Sequence, residues 1–164
     1  MPRTTPLQQA AHYILRAARS AAQAHPDTAL RLARQVLTLE PDRADAWAFF
    51  GQLNLKRDRL SDAARAFRHA VDLEPDQPAY QHALGSVLRL LSRPHDALEA
   101  LRTAVRLRPD HAPSMVELGL VLHALGSADD AEYWLTRALD VNPEAPTTPT
   151  ARRLLDHLQS AEAA

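Results

Sequence analysis

The chain has 164 residues, 46% hydrophobic and 24% charged, with 19 basic against 20 acidic side chains and a formal net charge of −1. That composition excludes an intrinsically disordered chain, and the balanced charge gives no general attraction toward nucleic acid or an anionic membrane. Neither half is a charged tail: residues 1–82 carry 11 Lys/Arg against 9 Asp/Glu, and residues 83–164 carry 8 against 11. The absence of cysteine removes disulfides, thiolate nucleophiles and cysteine-ligated zinc together. Aromatic residues are only 5%, so alanine and leucine must do most of the packing. No apolar run approaches the ~18 residues of a membrane span, and a cytoplasmic protein is expected.

In chain order, residues 1–6 are expected to fray, with Pro6 in the first turn of a helix. Residues 1–26 hold no acid but contain Arg3, Arg16 and Arg19, a composition shared with organellar transit peptides. The preferred reading is a first helix, because Leu7, Ala10, Ala11, Ile14, Leu15 and Ala18 fall at three- and four-residue spacings up to about Ala24. His25-Pro26-Asp27 breaks the run, and a second helix follows to about Leu39, exposing Arg31, Arg34 and Gln35 while burying Leu30, Ala33, Val36 and Leu37. Glu40-Pro41-Asp42 ends it.

The same plan then repeats. Helices are expected near 44–57 and 60–73, near 78–91 and 94–107, and near 112–125 and 128–141, with Gly126 in the last turn. Pro146-Thr147-Thr148-Pro149 leads into a final helix at about 150–160, with Leu154, Leu155 and Leu158 on one face. No stretch alternates in the manner of a strand, and no linker divides the chain, so a single domain over residues 1–164 is expected.

The repetition has a fixed interval of 34. Pro41, Pro75, Pro109 and Pro143 are each 34 apart, as are Ala29, Ala63, Ala97 and Ala131, and as are Ala17, Gly51, Gly85 and Gly119. Glycine in mid-helix costs roughly 1 kcal/mol relative to alanine. Its use three times at one place implies a neighbouring helix too near for a β-carbon, with Ala63, Ala97 and Ala131 as the facing small residues. Trp47, Phe50 and Phe67 supply bulk in the second unit, replaced by Gln81, Leu84 and Leu101, then by Met115, Leu118 and Leu135. Leu39, Leu73, Leu107 and Val141 are expected to bury the end of each second helix. A period of tens of residues signifies a stacked-repeat architecture.

These residues resemble the tetratricopeptide repeat family, whose pattern runs Trp, two residues, Leu-Gly, then Ala, three residues, Phe, and a closing Pro. Trp47, Phe50, Gly51, Ala63, Phe67, Ala70 and Pro75 match it. So do Leu84, Gly85, Leu88, Ala97, Leu101, Ala104 and Pro109, and then Leu118, Gly119, Leu122, Ala131, Leu135, Ala138 and Pro143. The first unit departs, with Arg16 where a large apolar residue is expected and Ser20 where an aromatic is usual, as suits an N-terminal cap. The resemblance implies an all-α fold: an α-solenoid of four stacked helix-turn-helix repeats, at about 10–43, 44–77, 78–111 and 112–145, closed by a capping helix at about 150–160.

It also implies a function. Stacking places the first helix of each pair on a concave face. The family's groove positions fall here on Ala11, Ile14, Ala18 and Ala21; on Asp45, Ala48, Gln52 and Leu55; on Ala79, His82, Ser86 and Arg89; and on Pro113, Val116, Leu120 and His123. The expectation is a non-catalytic scaffold or adaptor that holds a peptide or protein segment in this groove. Candidate contacts are Asp45, Gln52, Leu55, His82, Ser86, Arg89, Val116, Leu120 and His123. The chaperone-binding members clamp a C-terminal carboxylate with lysine, asparagine and arginine. The corresponding positions here hold Ala48, Phe49, Gln52, Ala79, Ala83, Pro113 and Glu117, and the sole lysine, Lys56, is elsewhere, so clamp-type binding is not expected.

Other chemistries find no support. The eight histidines include no i, i+4 pair of the helical metal-binding kind. There is no phosphate loop, G-x-S-x-G or H-E-x-x-H motif, and Asp129-Asp130 opens a helix, where acids complement the dipole. Arg57/Arg59 and Arg106/Arg108 read as solvated faces. Neither an enzyme, a cofactor, a nucleic-acid partner nor a membrane partner is expected. Trp134 is read as packing under the C-terminal helix, with self-association as its alternative. A small secretion-system chaperone and the regulatory module of a separate transferase are the competing functions. The short tail after Leu158 is expected to leave no room for a catalytic domain.

Overall fold

The computed structural model describes residues 5–162; of the end expected to fray, residues 1–4 lie outside them. Among the described residues there are nine helices and no strand: α1 (Pro6–Ala21), α2 (Pro26–Leu39), α3 (Ala44–Leu55), α4 (Leu60–Leu73), α5 (Pro78–Leu90), α6 (Pro94–Leu107), α7 (Ala112–Ala124), α8 (Ala128–Val141) and α9 (Thr148–Glu162). The fold class is the all-α helical repeat of the α-solenoid type. The chain divides into two compact units, residues 1–75 and 76–164.

In the first unit, α1 pairs with α2 and α3 with α4, and α3 packs back on α2. Thr5 caps α1 through a reciprocal capping box with Gln8, and Pro6 occupies the first turn. The core joins Ala11, Leu15 and Ala18 to Ala29, Leu30, Ala33 and Val36, and to Ala46, Phe49 and Leu53. In the second unit, α5 pairs with α6 and α7 with α8; α7 lies on α6, and α9 lies on α8 and α7. Leu84, Leu88, Leu101, Met115, Leu118 and Leu135 are fully buried there.

The glycines explain the tightness of each pair. A β-carbon on Gly51 would stand 2.9 Å from the Phe67 ring, one on Gly85 2.5 Å from Leu101 Cγ, and one on Gly119 2.7 Å from Leu135 Cγ. The atoms nearest the missing methyl thus belong to the residue four positions beyond each expected alanine. The carbonyls of Ala97 and Ala131 lie next, at 3.3 Å.

Three first helices end alike. Asp58, Ser92 and Gly126, spaced by 34, take the left-handed conformation at φ 56°, 57° and 81°. Their amides donate to Leu55, Arg89 and His123, and the next amides, of Arg59, Arg93 and Ser127, donate to Asn54, Leu88 and Leu122. This paired reversal satisfies the last carbonyls of the helix and stops it. It accounts for ends at Leu55, Leu90 and Ala124, one or two residues short of the expected boundaries. The final helix begins two residues early because Pro149 fits inside its first turn.

One packing expectation is corrected. Leu73 and Val141 are 38% and 40% exposed, because each is at the end of its helix, beyond the last buried residue, Val71 or Ala138. Leu39 and Leu107 are half-buried.

Candidate functional site

The candidate residues sit on the first helix of each pair. Positions 34 apart are equivalent in their repeats, so within the second unit Arg89 and His123 form one column, Ser86 and Leu120 a second, and His82 and Val116 a third, with Leu55, Gln52 and Ala48 at the matching positions of α3 in the first unit. The repeating buried residues lock each backbone, so what varies along a column is the side chain.

In the first unit, α3 carries Asp45, Gln52 and Leu55. Gln52 is exposed and Leu55 half-buried. Asp45 is engaged: it accepts from Arg19 on α1 at 3.0 Å and from Arg43 at 2.8 Å, and Arg43 also reaches Glu40 at 2.8 Å. The Arg19 guanidinium lies 5.9 Å from the Phe49 ring centroid. In the first unit these residues form an ion network beside the Phe49 ring.

In the second unit, α5 carries His82, Ser86 and Arg89, and the neighbouring α7 carries Leu120 and His123. Arg89 grips Glu117 on α7 with two hydrogen bonds, from Nε at 2.7 Å and Nη2 at 3.3 Å. The pair is partly shielded, with side-chain exposures of 30% and 17%. His82 meets the Ser114 hydroxyl through Nδ1 at 3.0 Å, and the same hydroxyl meets His111 Nδ1 at 2.6 Å. The two rings stand edge to face, 5.1 Å between centroids. A hydroxyl has one proton and two lone pairs, so neutral imidazoles donate to it and accept from it in a chain. Burial lowers the pKa of both histidines, reinforced at His82 by His111 and at His111 by Arg108; Glu117 and Asp110 pull the other way. Both rings thereby favour the neutral form more than a free imidazole does.

The remaining positions differ in accessibility. Val116 is only 2% exposed and lies under the row rather than on it. Leu120 and His123 are half-buried, and His123 stands edge to face with His157 of α9 at 6.1 Å. The Ser86 hydroxyl is buried with no hydrogen-bond partner among the described residues.

Glu117 as the counter-ion of Arg89, the His111–Ser114 bridge, and α9 as a further member of the row went unread in the sequence. One signal was present: His157 is His123 plus 34, and Leu154 is Leu120 plus 34, so α9 continues the first-helix columns. Among the described residues, no three His, Asp or Glu side chains converge to hold a metal ion, and no helix is long and apolar enough to cross a membrane.

Two family models described as tetratricopeptide repeat match, one over residues 20–87 and one over residues 82–147. No curated protein matches the sequence. Among solved structures, the chain is similar to YrrB, described as a TPR protein with an unusual peptide-binding site. That match has TM-score 0.81 and 18% identity, over 97% of this chain and 84% of that one. It is also similar to the first TPR of Spaghetti (RPAP3) bound to an HSP90 peptide, SRMEEVD, with TM-score 0.69 and 20% identity over 74% and 94%. An O-GlcNAc transferase mutant from Thermobaculum terrenum gives TM-score 0.74 and 26% identity over 84% of this chain but 27% of that one. The 34-residue period, the paired helices and the two family matches, which together span residues 20–147, agree: the chain belongs to the tetratricopeptide repeat family, whose repeats are protein-interaction modules.

Proposed function

We propose that the chain is a non-catalytic adaptor that captures a peptide or protein segment along the first-helix row, with His82, Ser86, Arg89, Leu120 and His123 as the principal contacts and Gln52 and Leu55 as their counterparts in the first unit. One observation carries this reading. The first helices carry partly accessible residues that differ from repeat to repeat, while their buried faces repeat. An apolar Leu120 between polar groups suits a segment that buries one side chain and hydrogen-bonds on either side. YrrB, described as having a peptide-binding site, and RPAP3, described as bound to a peptide, lend support at the level of fold. The reading includes a cytoplasmic place for the chain, and neither nucleic acid nor membrane as a partner, on the balanced charge.

The test is peptide selection on the folded chain from a display library, followed by binding to Leu120→Glu and Ser86→Arg variants. Both are expected to lose the selected peptides with unchanged helical circular dichroism. Peptides that bind both variants as tightly as the parent chain refute the row. A second reading, the repeat module of a separate transferase, has its support in the 26% identity to the Thermobaculum enzyme over 84% of this chain. Its test is co-purification of glycosyl-transfer activity with the tagged chain; a purified complex without turnover dismisses it.

A further inference from the structure

A cleft of about 250 Å³ opens in the first unit where α2, α3 and α4 meet, outside the first-helix row. Its aromatic floor is held by a hydrogen bond and a ring stack. Trp47 Nε1 donates to the Pro41 carbonyl at 2.7 Å, and the His69 ring stacks on the indole at 4.4 Å. The Arg34 guanidinium stands 5.7 Å from the Phe50 ring centroid and makes no ion pair among the described residues. Arg65 at the rim is met by Asp62. Ala66, on the wall, is small enough to leave the space open. The cleft therefore offers an aromatic slot beside an uncompensated cation.

The second unit carries the complement. Asp129, Tyr133, Thr136 and Asp140 follow one another at spacings of four, three and four, so they form one stripe along α8. The opposite stripe, Ala131, Leu135 and Ala138, is buried in the core. Tyr133 is 55% exposed, its hydroxyl accepting from Arg137 at 3.0 Å. Asp129 and Asp140 are exposed and make no ion pair among the described residues. An exposed aromatic ring between two free carboxylates matches a slot with aromatic walls and a free guanidinium.

We infer that the chain associates head to tail with a second copy of itself: the Asp129–Tyr133–Asp140 stripe of one copy docks in the Arg34–Trp47–His69 cleft of the next, with Tyr133 in the slot and a carboxylate on Arg34. The two surfaces differ, so the contact is heterologous and propagates into rings or open chains rather than stopping at a two-fold dimer. Charge complementarity sets the register and makes the association salt-dependent.

Sedimentation velocity over a rising concentration series tests this, in about 20 mM and about 500 mM salt, where screening differs strongly. Concentration-dependent growth beyond a dimer is expected, weakened by salt. Arg34→Glu blocks the cleft, and Tyr133→Ala with Asp140→Arg blocks the stripe. Each variant alone is expected to stay monomeric with native circular dichroism, its association weakened at least about tenfold. Mixed together, they are expected to form one-to-one heterodimers and nothing larger, because each retains the surface the other lacks. A parent chain that stays monomeric throughout overturns the proposal. So does either variant that still self-associates, or a mixture that remains monomeric.

Discussion

A methyl group added at Gly85 would stand 2.5 Å from Leu101 Cγ and 3.3 Å from the Ala97 carbonyl oxygen. Leu101 is fully buried and cannot swing aside, and the carbonyl belongs to α6 itself, so the pair of helices must part. Overpacking of this kind costs about 1–3 kcal/mol, offset by about 1 kcal/mol of helix propensity gained in replacing glycine. Gly85→Ala is therefore expected to destabilise the chain by about 1–2 kcal/mol in urea titration, and an unchanged midpoint would contradict this packing. The opposite sign is expected at Ser92, whose φ of 57° is left-handed. Ser92→Gly relieves a penalty of about 1–2 kcal/mol and gives back part of it as unfolded-chain entropy, for a net gain of about 0.5–1 kcal/mol. A fall in melting temperature would contradict that. The glycines of the helices were legible in the sequence because three stand in one register with apolar residues facing them. The left-handed positions were not, except at Gly126. Asp58 and Ser92 are ordinary polar loop residues, and only the backbone shows that they do the same work.

The antiparallel pairs were legible because each helix has its own apolar stripe and a proline or a turn at its end. The links between first helices were not, because they depend on which helices lie side by side. Arg89 reaches Glu117 over 28 residues, His82 reaches Ser114 over 32, and His123 faces His157 over 34. Neighbouring first helices thus pair residues at separations that vary from 28 to 34, so no single offset marks them. The His82–Ser114–His111 bridge predicts a pH dependence. Both histidines titrate below the ordinary value of 6.5 in the folded chain, whereas the unfolded chain takes up its protons near 6.5. The unfolded state binds more protons in that window, so stability is full above about pH 6.5 and falls as pH drops through the lowered folded values. Thermal melts between about pH 7.5 and 5 are expected to show this loss, and His82→Gln with His111→Gln to flatten it. An equally steep loss in the double variant would assign the acid sensitivity to other groups.

At the scale of the whole molecule, four registered copies impose the same constraints four times, which is why the helical repeat could be read from the sequence while the partner could not. In the adaptor proposed above, recognition falls to the residues that do not repeat, and their environment is set by the helices beside them: Arg89 is neutralised by Glu117, Asp45 is held in an ion network, and Val116 is covered. This arrangement lacks the lysine and asparagine of a carboxylate clamp, since the clamp positions hold Ala48, Gln52, Ala79 and Pro113. The RPAP3 peptide SRMEEVD is therefore expected not to bind at millimolar concentration in a fluorescence anisotropy titration, and saturable binding would contradict the assignment. The most direct test of the central claim is an amide chemical-shift map of the isotope-labelled chain with a selected peptide bound. The account predicts that shifts cluster on α3, α5 and α7, around Gln52, His82, Ser86, Arg89, Leu120 and His123. Shifts confined to α2, α4, α6 and α8 would contradict it.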